Sequence, residues 1–406
     1  MTGVLRDRNF RRFFGGQALS TFGDNAMFLA FAIWVKQLTG SSSAAGAVFF
    51  AFLAPSTLAS PALGYLADRV RRRPLMVATN LASAVVVLPL LAVHDRSQIW
   101  IVYGVAVLLG VSNGLLSAAR NGLLKDLVTD EQLVEANAAL RTATDGLQFL
   151  SPLVGAGLFA ALGGGAVAAV DAFTFLVAAG ALLATRVHES PRDASAEPTG
   201  QALLGGVRHI RQSPALRRVI TTVACACLVL GFGETVIIVV VDQGLHRAPE
   251  FLGVLASLGG LGAIAGGVTA VRVIRRLGEL RAAAAGMTLF AVGCLLQTTG
   301  MLGIVLAAEL GMGVGVPWIV VGFMTLMQRA TPPGLQGRVG AAANVAVSGC
   351  QTVSVAVGAM LVAVVDYRVL LVIVAAVLAG CAVRLGRALP AAPTAQAGAL
   401  ATATSS

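Results

Sequence analysis

Apolar stretches of roughly 20 residues alternate with short polar connections along nearly the whole chain. A helix rises about 1.5 Å per residue, so each stretch is long enough to cross a hydrocarbon core of about 30 Å. The pattern predicts twelve spans, at about residues 13–37, 44–65, 75–93, 99–120, 138–161, 166–185, 217–241, 250–271, 281–299, 302–326, 340–364 and 369–388. The expected fold class is an all-α integral membrane protein with twelve transmembrane helices in two pseudo-symmetric six-helix halves. The expected organisation is a first half at 1–185, a cytoplasmic linker at 186–216, a second half at 217–388 and a tail at 389–406.

The linker from Arg186 to Leu216 is marked by Pro191, Pro198 and a mix of Ser, Glu and Gly. Its later part, Gln201 to Arg211, has the pattern of a basic amphipathic helix lying on the inner membrane surface. The tail beyond Pro390 is rich in Ala, Thr and Pro, a composition expected to be disordered. At the other end, Met1 to Arg12 is polar and basic and runs straight into a full-length apolar segment, which reads as a first span rather than a cleavable leader.

Composition agrees with the pattern. The 406 residues are 57% hydrophobic and only 12% charged, with a mean hydropathy of +0.83. A water-soluble domain has too little charge here to cover its outside. The 47 glycines, beside 6% aromatics, suit helices that approach one another closely. The net charge of +10 does not point to nucleic acid, because the arginines sit in short clusters between apolar stretches. With both termini cytoplasmic, only Lys36, Arg96, Arg247 and Arg368 of the 29 Lys and Arg lie outside. That is the bias the positive-inside rule demands, and it implies a multi-pass protein of the plasma (inner cell) membrane. All five cysteines (Cys225, Cys227, Cys294, Cys350, Cys381) fall in apolar stretches without metal-ligand spacing and read as packing residues.

The two halves echo each other. Gln148-Phe-Leu-Ser151-Pro-Leu-Val-Gly155 in the fifth span returns as Gln351-Thr-Val-Ser354-Val-Ala-Val-Gly358 in the eleventh. Phe22-Gly23-Asp24 in the first span returns as Phe232-Gly233-Glu234 in the seventh. Repeats at corresponding spans predict duplicated halves around a central site.

After the second span comes Gly64-Tyr-Leu-Ala-Asp68-Arg69-Val-Arg71-Arg72-Arg73. This resembles the signature loop of the major facilitator superfamily, with Arg71 where the family has a second Gly. Three further stretches resemble its drug- and metabolite-exporter branch, which includes macrolide, enterobactin and tetracycline exporters. They are Asn9 to Gln17 with Phe22-Gly-Asp24, Asp130 to Asn137, and Gly206 to Arg217. The resemblance covers residues 5 to about 388. It implies alternating access, with Gly64, Asp68, Arg69 and Arg73 as a gating loop and Asp68 meeting the start of the eleventh span near Arg338 to Gly340. On chemistry alone, Gly64 permits close packing and Asp68 suits a helix N-terminus, while the arginines also serve as plain topology anchors. Two departures weaken the proton-antiporter pattern. The fourth span, Ile99 to Ala119, lacks the mid-span Arg of many antiporters, since Arg120 comes only at its inner end. The fifth span carries the antiporter signature only in part, as Ser151-Pro152-Leu-Val-Gly155-Ala-Gly157.

A carboxylate at mid-bilayer costs about 2.5–3.5 kcal/mol on insertion scales, so such groups usually face a cavity. Asp24, Glu234, Asp145, Glu309 and Asp171 are the carboxylates that qualify for proton coupling or substrate contact. A carboxyl that alternates between dry and wet surroundings can load and release a proton. Asp145 could instead pair with Arg141 one turn earlier. Glu309 and Asp171 sit closer to the outer ends, where helix-end hydrogen bonding is the plain alternative. Gln17, Asn25, Asn113, Gln148, Gln297, Gln351 and Trp318 are candidates to line the cavity, or to bond between helices. The four histidines (His94, His188, His209, His246) map to loops.

Two enzyme-like motifs dissolve in context. Gly110-Val-Ser112-Asn-Gly114 lies inside an apolar span, without the strand-to-helix turn or His of a hydrolase. Gly260-Leu-Gly262-Ala-Ile-Ala265 lacks the βαβ setting of a dinucleotide site. Lys36 and Lys125 are the only lysines and neither sits in a P-loop, so uphill transport has to draw on an ion gradient. The expectation is a non-enzymatic secondary transporter without cofactor or metal. It exports small hydrophobic compounds (drug, antibiotic or siderophore-like metabolite) by proton antiport. Its partners are the small-molecule substrate, protons and membrane lipid, with no nucleic acid, and it acts as a monomer. The alternative is an uncoupled facilitator, or a lipid or nutrient carrier of the same fold.

Overall fold

The computed structural model describes residues 4–187, 199–331 and 335–387. His188 and most of the Pro-rich linker lie outside them, as does the tail beyond Arg387. The described residues form fourteen α-helices and no strands. In the first half these are α1 (Arg8–Thr39), α2 (Ser42–Leu58), α3 (Ser60–Arg69), α4 (Arg72–Val87), α5 (Ile99–Leu127), α6 (Asp130–Leu162) and α7 (Gly164–Ala184). Then come α8 (Thr199–Gln212), α9 (Pro214–Val239), α10 (Phe251–Leu277), α11 (Glu279–Gln297), α12 (Leu302–Ala330), α13 (Gln336–Leu361) and α14 (Tyr367–Gly386).

Eleven helices are long and apolar enough to cross a membrane, and α2 is a shorter apolar helix of 17 residues. Proline explains the short one. Pro55 lies inside α2 and Pro61 in the first turn of α3, so the second predicted span is broken at Ala59 into two helices. With α2 and α3 taken together, all twelve predicted spans are present. Large apolar side chains face outward from the bundle: Trp100, Leu162, Val268 and Val364 are all exposed, Val364 by 82%. In water such a surface would be unstable; against lipid it is the expected exterior.

Local chemistry sets the helix ends. Asp7 caps α1 by accepting from the amides of Asn9 and Phe10 at 2.7 and 2.8 Å. Gly40, at φ 69°, turns the chain so that Ser41 can cap α2 through the Ala44 amide at 3.2 Å. A single π-helical turn, Val240–Gly244, follows α9.

Within the first half α1 packs between α6 and α7, and α4 bridges α5 and α7. The second half repeats the scheme, with α13 and α14 against α9 and α12 between α10 and α11. Across the halves, α2 packs on α13 and α9, and α6 packs on α10. Small residues make the closest approaches: a Cβ at Gly262 would strike the Leu310 carbonyl oxygen, and one at Gly266 the Val314 carbonyl oxygen. The amphipathic segment is helical as expected. As α8 it packs on α13 and α9, and it carries His209, which is therefore on a helix and not in a loop.

Candidate functional site: a central cavity between the halves

A cavity of about 580 Å³ lies between the two halves. Helix pairs in equivalent positions wall it: α1 and α6 in the first half, α9 and α13 in the second. The sequence echo becomes geometric here. Asp24 and Glu234 both line the cavity, and so do Gln148 and Gln351. Each glutamine stands seven residues before a glycine that lets its helix close on the partner: Gly155 against Ala26, Gly358 against Phe232.

Asn25, Asn113, Gln297 and Glu309 complete the polar lining. Asn25 Nδ2 has no hydrogen-bond partner among the described residues, which leaves a donor at the cavity wall. Glu309 sits in the cavity rather than at a helix end, and accepts from Gln297 Nε2 at 2.7 Å. The rest of the wall is apolar. Phe28 packs against Phe49 and Phe52, with ring centroids 4.5 and 5.3 Å apart, and all three line the cavity. Sequence reasoning missed this aromatic wall, because Phe residues in an apolar span carry no mark of which way they face.

Other expectations fall elsewhere. Gln17 is buried on α1 and does not line the cavity. Trp318 also lies off it: its indole N–H donates to the Gly266 carbonyl and the Thr269 hydroxyl, both at 3.1 Å, tying α12 to α10. Asp145 and Arg141 are in α6, but their side chains lie outside the described residues, and so does that of Asp68 in α3. Asp171 is fully buried behind α1, and among the described residues its carboxyl makes no helix-end hydrogen bond. Among the described residues Gly64 does not serve close packing, since a Cβ there would meet nothing within 4 Å.

The basic loop makes specific contacts. The Arg69 guanidinium stands 4.3 Å from the Tyr65 ring centroid. Arg73 donates to the carbonyl oxygens of Leu182 and Leu183 at 2.9 and 2.7 Å, satisfying the last turn of α7. Arg72 pairs with Asp126 at 3.0 Å, joining α4 to α5. Arg120 needs correcting too. Because α5 continues to Leu127, Arg120 lies within the helix, and it is the cation whose charge acts on Asp24.

At the end of the bundle opposite the termini, the halves are bolted together. Lys36 Nζ, on the last turn of α1, contacts Asp242 Oδ2 at 2.6 Å, with Ser42 Oγ and the Gly40 carbonyl both at 2.9 Å. Gln37 also donates to Glu250, and the Ser43 hydroxyl to the Ala359 carbonyl. Each of the three contacts crosses from the first half to the second. Polar contacts thus join the two halves at this end of the bundle.

The family profile described as Major Facilitator Superfamily matches residues 13–245, more than half of the chain. The protein belongs to the major facilitator superfamily and is a membrane transporter. Among its relatives is YfiS of Bacillus subtilis (strain 168), an uncharacterized MFS-type transporter, 24% identical over 80% of this chain and 79% of that one. Macrolide efflux protein A of Streptococcus pyogenes is 24% identical over 51% of this chain and 52% of its own. A lysophospholipid transporter, LplT of Cronobacter sakazakii, is 28% identical over 45% of this chain and 44% of its own. A bacterial homologue of the iron transporter ferroportin, solved inward-facing, shares the fold with a TM-score of 0.70, 17% identity and coverage of 93% and 98%. The nucleoside transporter NupG shares it with a TM-score of 0.75 and 10% identity over 93% and 99%.

Proposed function

We propose that this transporter exports small hydrophobic compounds, cationic ones included, in exchange for protons. The observation that carries the reading is the cavity itself: an aromatic and aliphatic wall with Asp24, Glu234 and Glu309 set into it. Apolar walls take up hydrophobic molecules, and a few placed carboxylates give orientation to a positive group. The same carboxylates are the proton carriers. Protonation at Asp24 and Glu234 discharges a bound cation, and deprotonation on the other side of the membrane restores the site. Arg120 close to Asp24 gives that carboxylate a counter-charge when it is empty. The partial similarity to a macrolide efflux protein supports the direction of transport.

The distribution of basic residues supports cytoplasmic termini. In that orientation the Lys36–Asp242 end faces outward and is shut, so the structure is an inward-facing form. Alternating access then requires those outer links to break as the halves rock and the gating loop at Asp68 and Arg69 closes the inner side. Moving one charge through 100 mV is worth about 2.3 kcal/mol, enough to accumulate substrate outside.

The test is efflux of dyes and macrolides from cells lacking their own pumps, comparing wild type with Asp24→Asn, each with and without a protonophore. Efflux that collapses under either treatment supports the reading. Efflux that persists through both refutes proton exchange. A second reading, a lipid carrier, draws on the similarity to a lysophospholipid transporter. Lysolipid movement in the same cells, insensitive to protonophore, would favour it.

A further inference from the structure

Behind Asp24 lies a second carboxyl that the cycle above does not use. Asp171, on α7, is fully buried. Neither carboxyl oxygen has a hydrogen-bond partner among the described residues. Thr174, one turn away, donates its hydroxyl to the Asp171 backbone oxygen at 2.8 Å and stands beside the carboxyl. The carboxyl points at the backbone of α1, where a Cβ at Gly23 would strike both Asp171 Oδ1 and Thr174 Oγ1. Gly23 is therefore the gap that admits Asp171, and the next residue along, Asp24, lines the cavity. The Asp24 charge acts on the Asp171 carboxyl.

The surroundings extend this polar spot. Arg73 bonded to the Leu182 carbonyl, and Leu91 against Gly165, fix α4 and its extension antiparallel to α7 in one register. Counting along both helices from those anchors puts Ser83 within about two residues of the level of Asp171, and Asn80 within about two of Thr174. Ser83 and Asn80 are fully buried, and Ser83 Oγ and Asn80 Oδ1 also lack partners among the described residues. Orphaned polar atoms in a packed core call for an explanation, such as a proton or water that comes and goes. Of the elements packed on α7, α4 and its extension carry ionisable groups only at Arg72 and Arg73, at the far end. α6 carries none from Gln148 to Leu162, and α1 offers Asp24 at this level. Asp24, with Arg120 acting on it from α5, is thus the titratable group that faces Asp171.

We propose that Asp171 is an internal proton site in series with Asp24, reached across the glycine gap at residue 23. The inference rests on the proton-exchange reading. A proton taken up by the Asp24 carboxylate passes to the Asp171 carboxylate: the O–H bond at Asp24 breaks as one forms at Asp171, and the negative charge moves from Asp171 to Asp24. Asp24 is then ionised and free to hold a cationic group while the proton stays inside the first half. Asp171 acts through Asp24 and does not touch substrate, so it is a positioning residue.

A substrate-free experiment tests this. Infrared difference spectra of the purified full-length protein in lipid, titrated across pH, report protonated carboxyl groups by their carbonyl-stretch bands. Wild type is expected to show a band from a carboxylic acid shielded from solvent exchange, and Asp171→Asn to lack it. In Asp24→Asn the band should remain, but vanish at a lower pH than in wild type, because a like-charged neighbour has gone. The second variant leaves Asp171 in place and reads it even where Asp171→Asn folds poorly. A spectrum unchanged in Asp171→Asn, or a band indifferent to Asp24→Asn, overturns the inference. Neither result touches proton exchange itself, which stands or falls with the protonophore sensitivity of wild-type efflux.

Discussion

Truncating Asp242 to Ala should tilt the transporter away from the conformation described here. The Lys36 side chain is 8% exposed and keeps its other acceptors, Ser42 and Gly40, in the variant; Asp242 is 41% exposed. A hydrogen bond to a charged group is worth about 1.5–3 kcal/mol when buried, and an exposed ion pair about 0–1 kcal/mol. With one partner buried and the other partly wet, an intermediate value of about 1–2 kcal/mol is reasonable. The pair joins the halves only while this end is shut, so its loss acts on the equilibrium between access states. That amounts to a shift of about 5- to 30-fold. The assay replaces the five native cysteines, places one at the half-buried Leu245, and follows its labelling by a membrane-impermeant thiol reagent. Labelling should rise in Asp242→Ala, and the charge exchange of Lys36→Asp with Asp242→Lys should bring it part of the way back. Unchanged labelling, or a double variant that behaves as the sum of its singles, would refute the assignment of this pair as a cross-half latch.

Other substitutions separate packing from transport. Trp318→Phe removes two hydrogen bonds between α12 and α10, so it should lower thermal stability by about 1 kcal/mol and leave the range of exported compounds unaltered. Gly262→Val forces a side chain onto the Leu310 carbonyl; a destabilisation of about 1–3 kcal/mol should appear as earlier thermal unfolding on size-exclusion chromatography. Glu309→Gln preserves a hydrogen-bonding partner for Gln297, so stability should change by less than about 0.5 kcal/mol. Its efflux of cationic dyes should nevertheless fall more than its efflux of neutral compounds, and equal losses would remove Glu309 from charge recognition.

The architecture was readable in the sequence because lipid imposes a simple rule: twelve apolar stretches of bilayer length leave few folds open. Even the break in the second span had its mark in Pro55 and Pro61. Asp24, Glu234, Gln148 and Gln351 could be found because duplication placed them at matching positions, and pseudo-symmetry brings matching positions to one central cavity. Facing was harder to read. A helix apolar on every side carries no stripe to show its orientation, so Gln17 and Trp318 looked as eligible as Asn25. The Lys36–Asp242 pair joins residues 206 apart in the chain, and nothing local in either span announces it. The setting of Asp171 is hard to read for a related reason: its carboxyl meets Gly23 on another helix, where the absence of a side chain is the signal.

Proton exchange is tested most directly in everted membrane vesicles that are energised by respiration and carry an acridine-dye reporter of the proton gradient. Adding a transported macrolide should discharge part of the gradient in vesicles with the wild-type protein, and not in vesicles with Asp24→Asn. Macrolide accumulation in wild-type vesicles without any discharge would contradict the account.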